Sequence, residues 1–155
     1  MRRPRGTGWG GTFKGHGLAA ERGASSLVIP GDVRGRETAE RVRAGLPYRS
    51  LHEVASAWGL NPHAVAEILR IPERTLARRR QSGRLRTDES DRLARLARVA
   101  ALAESVFGDR EKASRWLQAG NPALGGEAPL DRLDTDPGSR EVEAVLQRIA
   151  HGILD

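Results

Sequence analysis

The stretch from Phe107 to Asp155 reads FGDREKASRWLQAGNPALGGEAPLDRLDTDPGSREVEAVLQRIAHGILD, and it decides the fold. Its spacing predicts a short helix carrying Trp116 and Leu117, a turn over NPALGG, a proline-started segment PLDRL, and a last helix that opens at Asp136. The apolar residues of this last helix fall within an arc of about 100° and are expected to form a buried stripe. They are Val142, Val145, Leu146, Ile149 and Ile153. The stretch therefore predicts a compact helical module with an apolar interior.

Upstream of this module the sequence carries helix boundaries of the same kind. Gly45, Gly59 and Gly83 are placed to end helices, because glycine adopts the left-handed turn that closes a helix without steric cost. Pro62 and Pro72 are placed at helix starts, where a missing backbone donor costs nothing. From residue 37 onward every periodic segment is helical in character, which predicts an all-α protein.

The longest predicted helix begins at Thr87, which is expected to cap it, and carries carboxylates in its first turn. Its apolar residues extend well around the cylinder, so the helix is expected to be covered on more than one side. It either joins the two halves of the chain or takes part in a dimer contact, and ordinary core burial is the favoured interpretation.

Composition narrows the class of protein. The 155 residues include no cysteine, which removes disulfides, zinc-thiolate sites and thiol nucleophiles, and fits a reducing cytoplasm. The longest strongly apolar run, Val99 to Ala103, is far below the roughly 18 residues that a membrane span requires. A cytoplasmic protein with no membrane association is therefore expected.

Charge is distributed unevenly along the chain. Residues 1 to 100 hold twenty Lys or Arg against ten Asp or Glu, a net charge of +10, while residues 101 to 155 hold six against ten, a net charge of −4. A basic part suits a phosphate backbone and an acidic part suits a partner that is not nucleic acid. An unevenly charged solvated surface is the alternative.

The first 36 residues have a composition unlike the rest. They are rich in glycine and poor in large apolar residues, so a disordered basic arm is expected over residues 1 to 36. Gly6, Gly8 and Gly11 satisfy a G-x-G-x-x-G pattern, but no strand can precede it, and we interpret the match as accidental. Residues 27 to 29 could form one short strand or pack as extended chain.

A concentrated run of arginines lies in the middle of the chain. Residues 70 to 86 contain seven arginines and one acid, on and around the helix PERTLARRRQ, which follows a helix and a tight turn. This spacing is typical of the recognition helix of a helix-turn-helix. A guanidinium can bridge guanine O6 and N7 or grip a phosphate, which favours DNA. A solvated basic helix or an RNA-binding surface is the alternative.

The helical wheel assigns the residues of this helix to faces. Arg74, Thr75, Arg78 and Arg79 are expected on one side, opposite Leu76, while Arg80 falls near the apolar side and is expected to extend toward solvent or a phosphate. The predicted DNA-binding residues are Arg74, Thr75, Arg78, Arg79, Arg80 and Arg84.

The order of motifs in the C-terminal stretch closely resembles the toxin-binding domain of the Xre/MbcA/ParS antitoxins. The resemblance rests on WL, the NPALGG loop, PL, a T-x-x-G step from Thr135 to Gly138 and a closing RIAHG, and it runs from about Glu37 to the C-terminus. The matching positions are Trp116, Leu117, Asn121, Pro122, Leu124, Gly125, Gly126, Pro129, Leu130, Thr135, Gly138, Val142, Leu146, Ile149 and Gly152.

This resemblance implies an architecture and a function. It implies a helix-turn-helix bundle over residues 37 to 100, followed by a small helical toxin-binding domain over residues 101 to 155. In this family the module neutralises a RES-domain toxin, an enzyme that consumes or transfers the ADP-ribose part of NAD, by covering its NAD pocket. The resemblance also implies repression of the protein's own operon.

Most of the matching positions are expected to be scaffold, since their spacing already explains Trp116, Leu117 and the apolar residues of the last helix. Gly125 and Gly126 could serve a turn or the close approach of another backbone. Ile153 and Leu154 form an apolar chain end suited to a pocket, and a frayed end is the alternative. The predicted toxin contacts are Asn121, Gly125, Gly126, His151, Gly152, Ile153, Leu154 and Asp155.

The turn before the basic helix departs from the family pattern. Xre-type motifs commonly carry Gly-Ile-Ser there, whereas this chain has Arg70, Ile71 and Pro72. A bulky residue is costly where positive φ is required, so a looser or differently shaped turn is expected. Because one recognition helix gives little affinity, a homodimer on an inverted repeat of operator DNA is expected, within a larger toxin-antitoxin complex.

Catalysis is not expected from this sequence. The four histidines lie in unrelated segments without metal-ligand spacing, and no nucleophile elbow or phosphate loop is present, so neither a metal nor a cofactor is expected. The serious rival to an antitoxin is a free-standing helix-turn-helix transcription regulator without a toxin partner. A RES-domain gene beside this one would favour the antitoxin.

Overall fold

The structure is a computed structural model that describes residues 35 to 153, with side chains from Thr38 onward. Helices account for the architecture of this part, and an isolated bridge between Pro47 and Arg84 is the only β-type pairing in it. The α-helices are α1 (Gly35–Ala44), α2 (Arg49–Ala57), α3 (Pro62–Ile68), α4 (Glu73–Ser82), α5 (Thr87–Phe107), α6 (Arg110–Gln118) and α7 (Asp136–Ala150). Two short 3-10 helices, Pro122–Leu124 and Pro129–Arg132, lie between α6 and α7. The all-α prediction is confirmed.

Some expectations fall at the ends of the chain. Most of the predicted basic arm, including the segment at residues 27 to 29, lies outside the described residues, as do Leu154 and Asp155. At the other edge of the arm, α1 begins at Gly35, two residues before the predicted start.

Side chains expected at the helix starts mostly occupy the predicted positions. Asn61 Oδ1 accepts from the amide of His63 at 2.9 Å, and Asp109 Oδ1 accepts from the amide of Lys112 at 2.7 Å. The cap expected at Thr87 is wrong. Arg86 is the N-cap of α5, and the Thr87 hydroxyl instead donates to the carbonyl of Arg43 at 3.0 Å, which ties α5 to the end of α1.

Helix α5 is the centre of the fold. It packs against α1, α6 and α7, and its residues Leu93, Leu96, Val99 and Ala103 are almost completely inaccessible to solvent. The expectation that this helix is covered on more than one side is confirmed. Because α5 runs without interruption from 87 to 107, the domain boundary expected at residue 100 falls inside a helix and not in a linker.

Helix α7 buries most of the predicted stripe. Val142, Val145 and Leu146 are buried and Ile149 is half-buried, but Ile153 is 56% exposed, so the prediction of a stripe buried to residue 153 is wrong at its end. The reason is Gly152, which takes a left-handed φ of 69° and turns the chain off the helix axis. Two hydrogen bonds close this turn, from the amide of Gly152 to Ile149 and from the amide of Ile153 to Arg148.

Membrane insertion has no support in the described helices. None of the helices between Gly35 and Ile153 combines the length and the apolarity that a bilayer crossing requires.

Candidate DNA-reading helix and C-terminal groove

Helix α4 presents a basic surface formed by three exposed arginines. Leu76 is the buried residue of this helix, and Thr75 is half-buried beside it. Arg74 and Arg78 are exposed one helical turn apart, Arg80 is exposed on the side nearer Leu76, and we call these three residues together the basic face. The expected solvent exposure of Arg80 is confirmed.

Arg79, predicted to face DNA, instead points into the protein. Its Nε donates to Oε2 of Glu89 at 2.7 Å, with the two side chains only 15% and 6% exposed. The same carboxylate oxygen accepts from the amide of Arg86 at 2.8 Å. The hydrogen bond to Glu89 raises the pKa of the Arg79 guanidinium further above its usual range, while burial acts against this.

The wheel failed at Arg79 because the first turn of α5 places Glu89 beneath α4. An unpaired buried carboxylate is costly, so the nearest arginine turns inward to meet it. A signal was present in the sequence, since Glu89 is the carboxylate three residues into the acidic start of α5. Arg79 therefore positions α4 and does not belong to the basic face.

Arg84 is also engaged within the fold. Its Nη1 donates to the carbonyl of Gly45 at 2.8 Å and lies 3.5 Å from that of Ala44, so the side chain holds the end of α1. This contact accompanies the bridge between Pro47 and Arg84. Arg84 therefore has a structural role at this junction, while the DNA contact expected of this exposed residue stays a prediction.

The unusual turn between α3 and α4 has a well-defined shape. Arg70 adopts a φ of 54°, the one positive value among the non-glycine residues described, which confirms that this position requires left-handed backbone. The amide of Arg70 donates to Glu67 and that of Ile71 to Ala66, at 3.0 and 2.9 Å. These two bonds form the Schellman motif that glycine usually closes. The looser turn that we expected is therefore wrong.

At the C-terminal end, α6, α7 and the loop between them enclose an open groove of about 610 Å³. We call it the terminal groove, and its lining is mostly apolar. It is lined by Trp116, Asn121, Pro122, Ala123, Val145, Arg148, Ile149 and Ile153. Two of the predicted toxin contacts, Asn121 and Ile153, thus come together in one surface.

The remaining predicted contacts have other places. Gly125 and Gly126 adopt left-handed φ values of 68° and 86° in an exposed turn next to the groove, which satisfies the turn interpretation of these glycines. His151 is exposed, with Nδ1 2.7 Å from the Gln147 carbonyl, and Gly152 forms the turn that presents Ile153.

Sequence reasoning missed part of the groove and over-interpreted another part. Arg148 was not predicted as a site residue, although a cation in the last turn of α7 was a usable signal. Trp116, assigned to the core, is half-buried against the core and also lines the groove, and its ring is tilted by 45° to that of Phe107 with ring centres 5.6 Å apart. The Asn121 side chain, in turn, accepts from the amide of Ala123 at 2.9 Å and so caps a 3-10 helix.

The described residues contain no group of histidines, aspartates and glutamates placed to hold a metal ion. The exposed guanidinium groups of α4 and the apolar groove are two separate surfaces, and each can bind a different partner.

Known proteins match both halves of the chain. Residues 37–98 match the antitoxin Xre-like helix-turn-helix domain, and residues 102–152 match the antitoxin Xre/MbcA/ParS C-terminal toxin-binding domain. The antitoxin Xre of Pseudomonas putida is 45% identical over 83 residues, which cover 53% of this chain and 52% of that protein. The antitoxin Xre of Photorhabdus laumondii is 33% identical over 112 residues, covering 71% and 76%.

A more distant relative carries a more informative name. The Prs ADP-ribosylating antitoxin of Sphingobium is 26% identical over 121 residues, covering 72% of this chain and 76% of that protein. The shared region spans only about half of the Pseudomonas protein, so agreement along its whole length is not implied.

Proposed function

Because the chain belongs to the Xre antitoxin family and carries both an Xre-like helix-turn-helix domain and a toxin-binding domain, we propose that it neutralises a RES-domain toxin and represses its own operon. In this proposal the toxin-binding domain covers residues 101 to 155 and the DNA-binding domain residues 37 to 100. It also places the protein in the cytoplasm, where an operator and an NAD-using enzyme are both found.

The observation that carries the toxin-binding part is the terminal groove. It lies within the matched toxin-binding domain, and at its end stands Ile153, the one large hydrophobic side chain that is exposed in the described part of the chain. An apolar side chain next to an apolar groove is typical of a protein interface, where both become buried on association. Asn121, Gly125, Gly126 and residues 151 to 155 remain the proposed contacts, now joined by Arg148.

Support for a RES-type partner comes from the relatives. The name of the Sphingobium protein links it to ADP-ribosylation, and RES toxins act on the ADP-ribose part of NAD. The antitoxin needs no reaction of its own. It acts by binding, because groove and tail atoms that cover the NAD pocket exclude the substrate from it.

Truncations test the toxin-binding part directly. A chain that ends at Ile149 loses Ile153 and the turn that presents it, so it should fail to protect cells that co-express the RES protein encoded beside it. The matched control ends at Ile153 and keeps the terminal groove. Full protection by the shorter chain would show that the tail is not an inhibitory element.

The basic face supports operator binding. Its three arginines have no ion-pair partner within residues 38 to 153, so their guanidinium groups are available for phosphates and guanine edges. Thr75, half-buried on the same helix, and the exposed Arg84 are retained as proposed contacts, whereas Arg79 is withdrawn. We expect a homodimer that places two α4 helices on half-sites about one helical turn apart.

Footprinting against salt concentration tests the DNA-binding part. The logarithm of the binding constant should fall by about 0.9 per log unit of salt for each phosphate neutralised. Protection of both halves of an inverted repeat is expected. A monomer that protects a single half-site, or binding that is insensitive to salt, would contradict the proposal.

A free-standing transcription regulator is the second candidate, since the basic face would look the same in it. The two candidates differ in the use of the terminal groove. Copurification of this protein with a RES-domain protein from its native host supports the antitoxin, and regulation of the operon by a protein that captures no toxin supports the regulator.

A further inference from the structure

Arg148 differs from most arginines of its module, and Arg115 of α6 is the other one without an ion pair within the described residues. The guanidinium groups of Arg110, Arg132 and Arg140 all pair with carboxylates, at 3.3, 2.7 and 2.8 Å respectively. Arg148 is exposed in the last turn of α7, and no carboxylate pairs with it within the described residues. It is therefore an unpaired positive charge on a module whose net charge is negative.

The position of Arg148 relates this charge to the terminal groove. Arg148 lines the groove together with Ile149 and Trp116, and its carbonyl accepts the amide of Ile153 at 2.9 Å. The same residue thus holds the turn that presents Ile153 and offers its guanidinium at the rim. An apolar groove with one cation at its edge is complementary to an apolar side chain that has a carboxylate beside it.

A purely structural explanation of Arg148 makes a different prediction. A cation in the last turn of a helix stabilises it through the helix dipole, by roughly 0.3 to 1 kcal/mol at an exposed position. That role would lower stability when the charge is removed and would leave the affinity for any partner unchanged. Affinity is therefore the measurement that separates the two roles.

We infer that the terminal groove selects its toxin by chemistry: the toxin presents an apolar side chain to the groove and a neighbouring aspartate or glutamate to Arg148. This inference rests on the proposed toxin binding and specifies which surface of the toxin is bound. Arg148 gives the contact its specificity, because an apolar groove alone accepts many side chains while a desolvated guanidinium rejects a partner that lacks the carboxylate.

The test is a titration of the purified full chain with the RES-domain protein encoded beside it, at low and at high salt. Arg148→Gln should weaken binding about tenfold and Arg148→Glu about a hundredfold, because reversal adds repulsion to the lost attraction. Arg148→Lys keeps the charge and should stay within a few fold of wild type. High salt should narrow the difference between wild type and Arg148→Gln.

Arg140→Glu is the matched control, since Arg140 is an exposed arginine of the same helix, away from the groove and paired with Asp136. It should bind the toxin within twofold of wild type. The unfolding midpoints of all variants show whether a variant binds weakly because it is unfolded or because a contact is lost. If Arg148→Glu is too unstable to test, the comparison of Arg148→Gln with Arg148→Lys decides the question.

Three outcomes would overturn the inference. Equal toxin affinity for wild type and Arg148→Gln would show that Arg148 has no carboxylate partner, while toxin binding itself would stand. If Arg148→Gln no longer weakens toxin binding in a chain that ends at Ile153, the carboxylate that pairs with Arg148 belongs to the C-terminal residues of this protein and not to the toxin. No binding by wild type would overturn both the inference and the proposed function.

Discussion

The basic face and the terminal groove are built in opposite ways. Helix α4 contributes one buried residue, Leu76, to the core, so its exposed arginines take little part in packing. Helix α7 buries five residues, and the groove is an unfilled edge of the same core. Charge can therefore be removed from the basic face without loss of packing, whereas most changes to the groove also affect stability. The exposed residues of the lining are the exceptions, namely Pro122, Ala123, Arg148 and Ile153.

The largest effect is expected where the two surfaces share support. Leu93 of α5 is completely buried, and Leu93→Ala should lower the free energy of unfolding by about 3 to 4 kcal/mol through the cavity it leaves. Operator and toxin binding should be lost together. Urea unfolding followed by circular dichroism and by the fluorescence of Trp58 and Trp116 should give coincident transitions. Two separate transitions would show that the halves fold independently.

The next effect distinguishes the support of α4 from its surface. Glu89→Ala leaves the guanidinium of Arg79 poorly exposed and without its partner, so stability should fall by about 3 kcal/mol, and operator affinity should fall with it. Asp88→Ala is the matched control in the same helical turn. Its carboxylate is 61% exposed, so a loss below about 1 kcal/mol is expected. Equal losses for the two variants would contradict a clamping role for Glu89.

A third prediction concerns the basic face itself. Arg74→Ala and Arg78→Ala should each weaken operator binding by about 1 to 3 kcal/mol, and thermal stability should stay unchanged because both side chains are exposed and unpaired. Toxin affinity should also stay unchanged. Loss of stability in either variant would mean that these arginine side chains take part in the packing of the fold, as the side chains of the terminal groove do.

The difference between the two surfaces explains how far sequence reasoning reached. Helix positions and the buried stripe of α7 were predictable because they depend on local periodicity and on turn residues such as Gly83 and Asn61. The exposure of the other arginines of α4 was predictable because a solvated guanidinium needs no partner from elsewhere in the fold. The orientation of Arg79 was not predictable, since it depends on Glu89, ten positions away in the first turn of α5. The groove was not either, because its shape arises where three separate segments meet.

The smallest effect concerns the turn between α3 and α4, from which the Arg70 side chain reaches the C-terminal half. Arg70 and Gly59 close Schellman turns with φ values of 54° and 62°, but Arg70 also reaches Asp134 of the C-terminal half, with its Nε 3.2 Å from Oδ2. The Arg70 side chain is 69% exposed, so the ion pair is expected to contribute little to stability. Glycine would remove the cost of left-handed backbone, at roughly 1 kcal/mol.

The turn itself is isolated by comparing Arg70→Gly with Arg70→Ala, since the ion pair is absent from both variants. The glycine variant should be more stable by about 1 kcal/mol, and Gly59→Ala should be less stable than wild type by a similar amount. Denaturant titration measures all three. Operator and toxin affinities of Arg70→Gly should remain within twofold of wild type, because α5 already joins the halves. A selective loss of operator affinity would place Arg70 on the DNA-binding surface and extend the basic face across the turn.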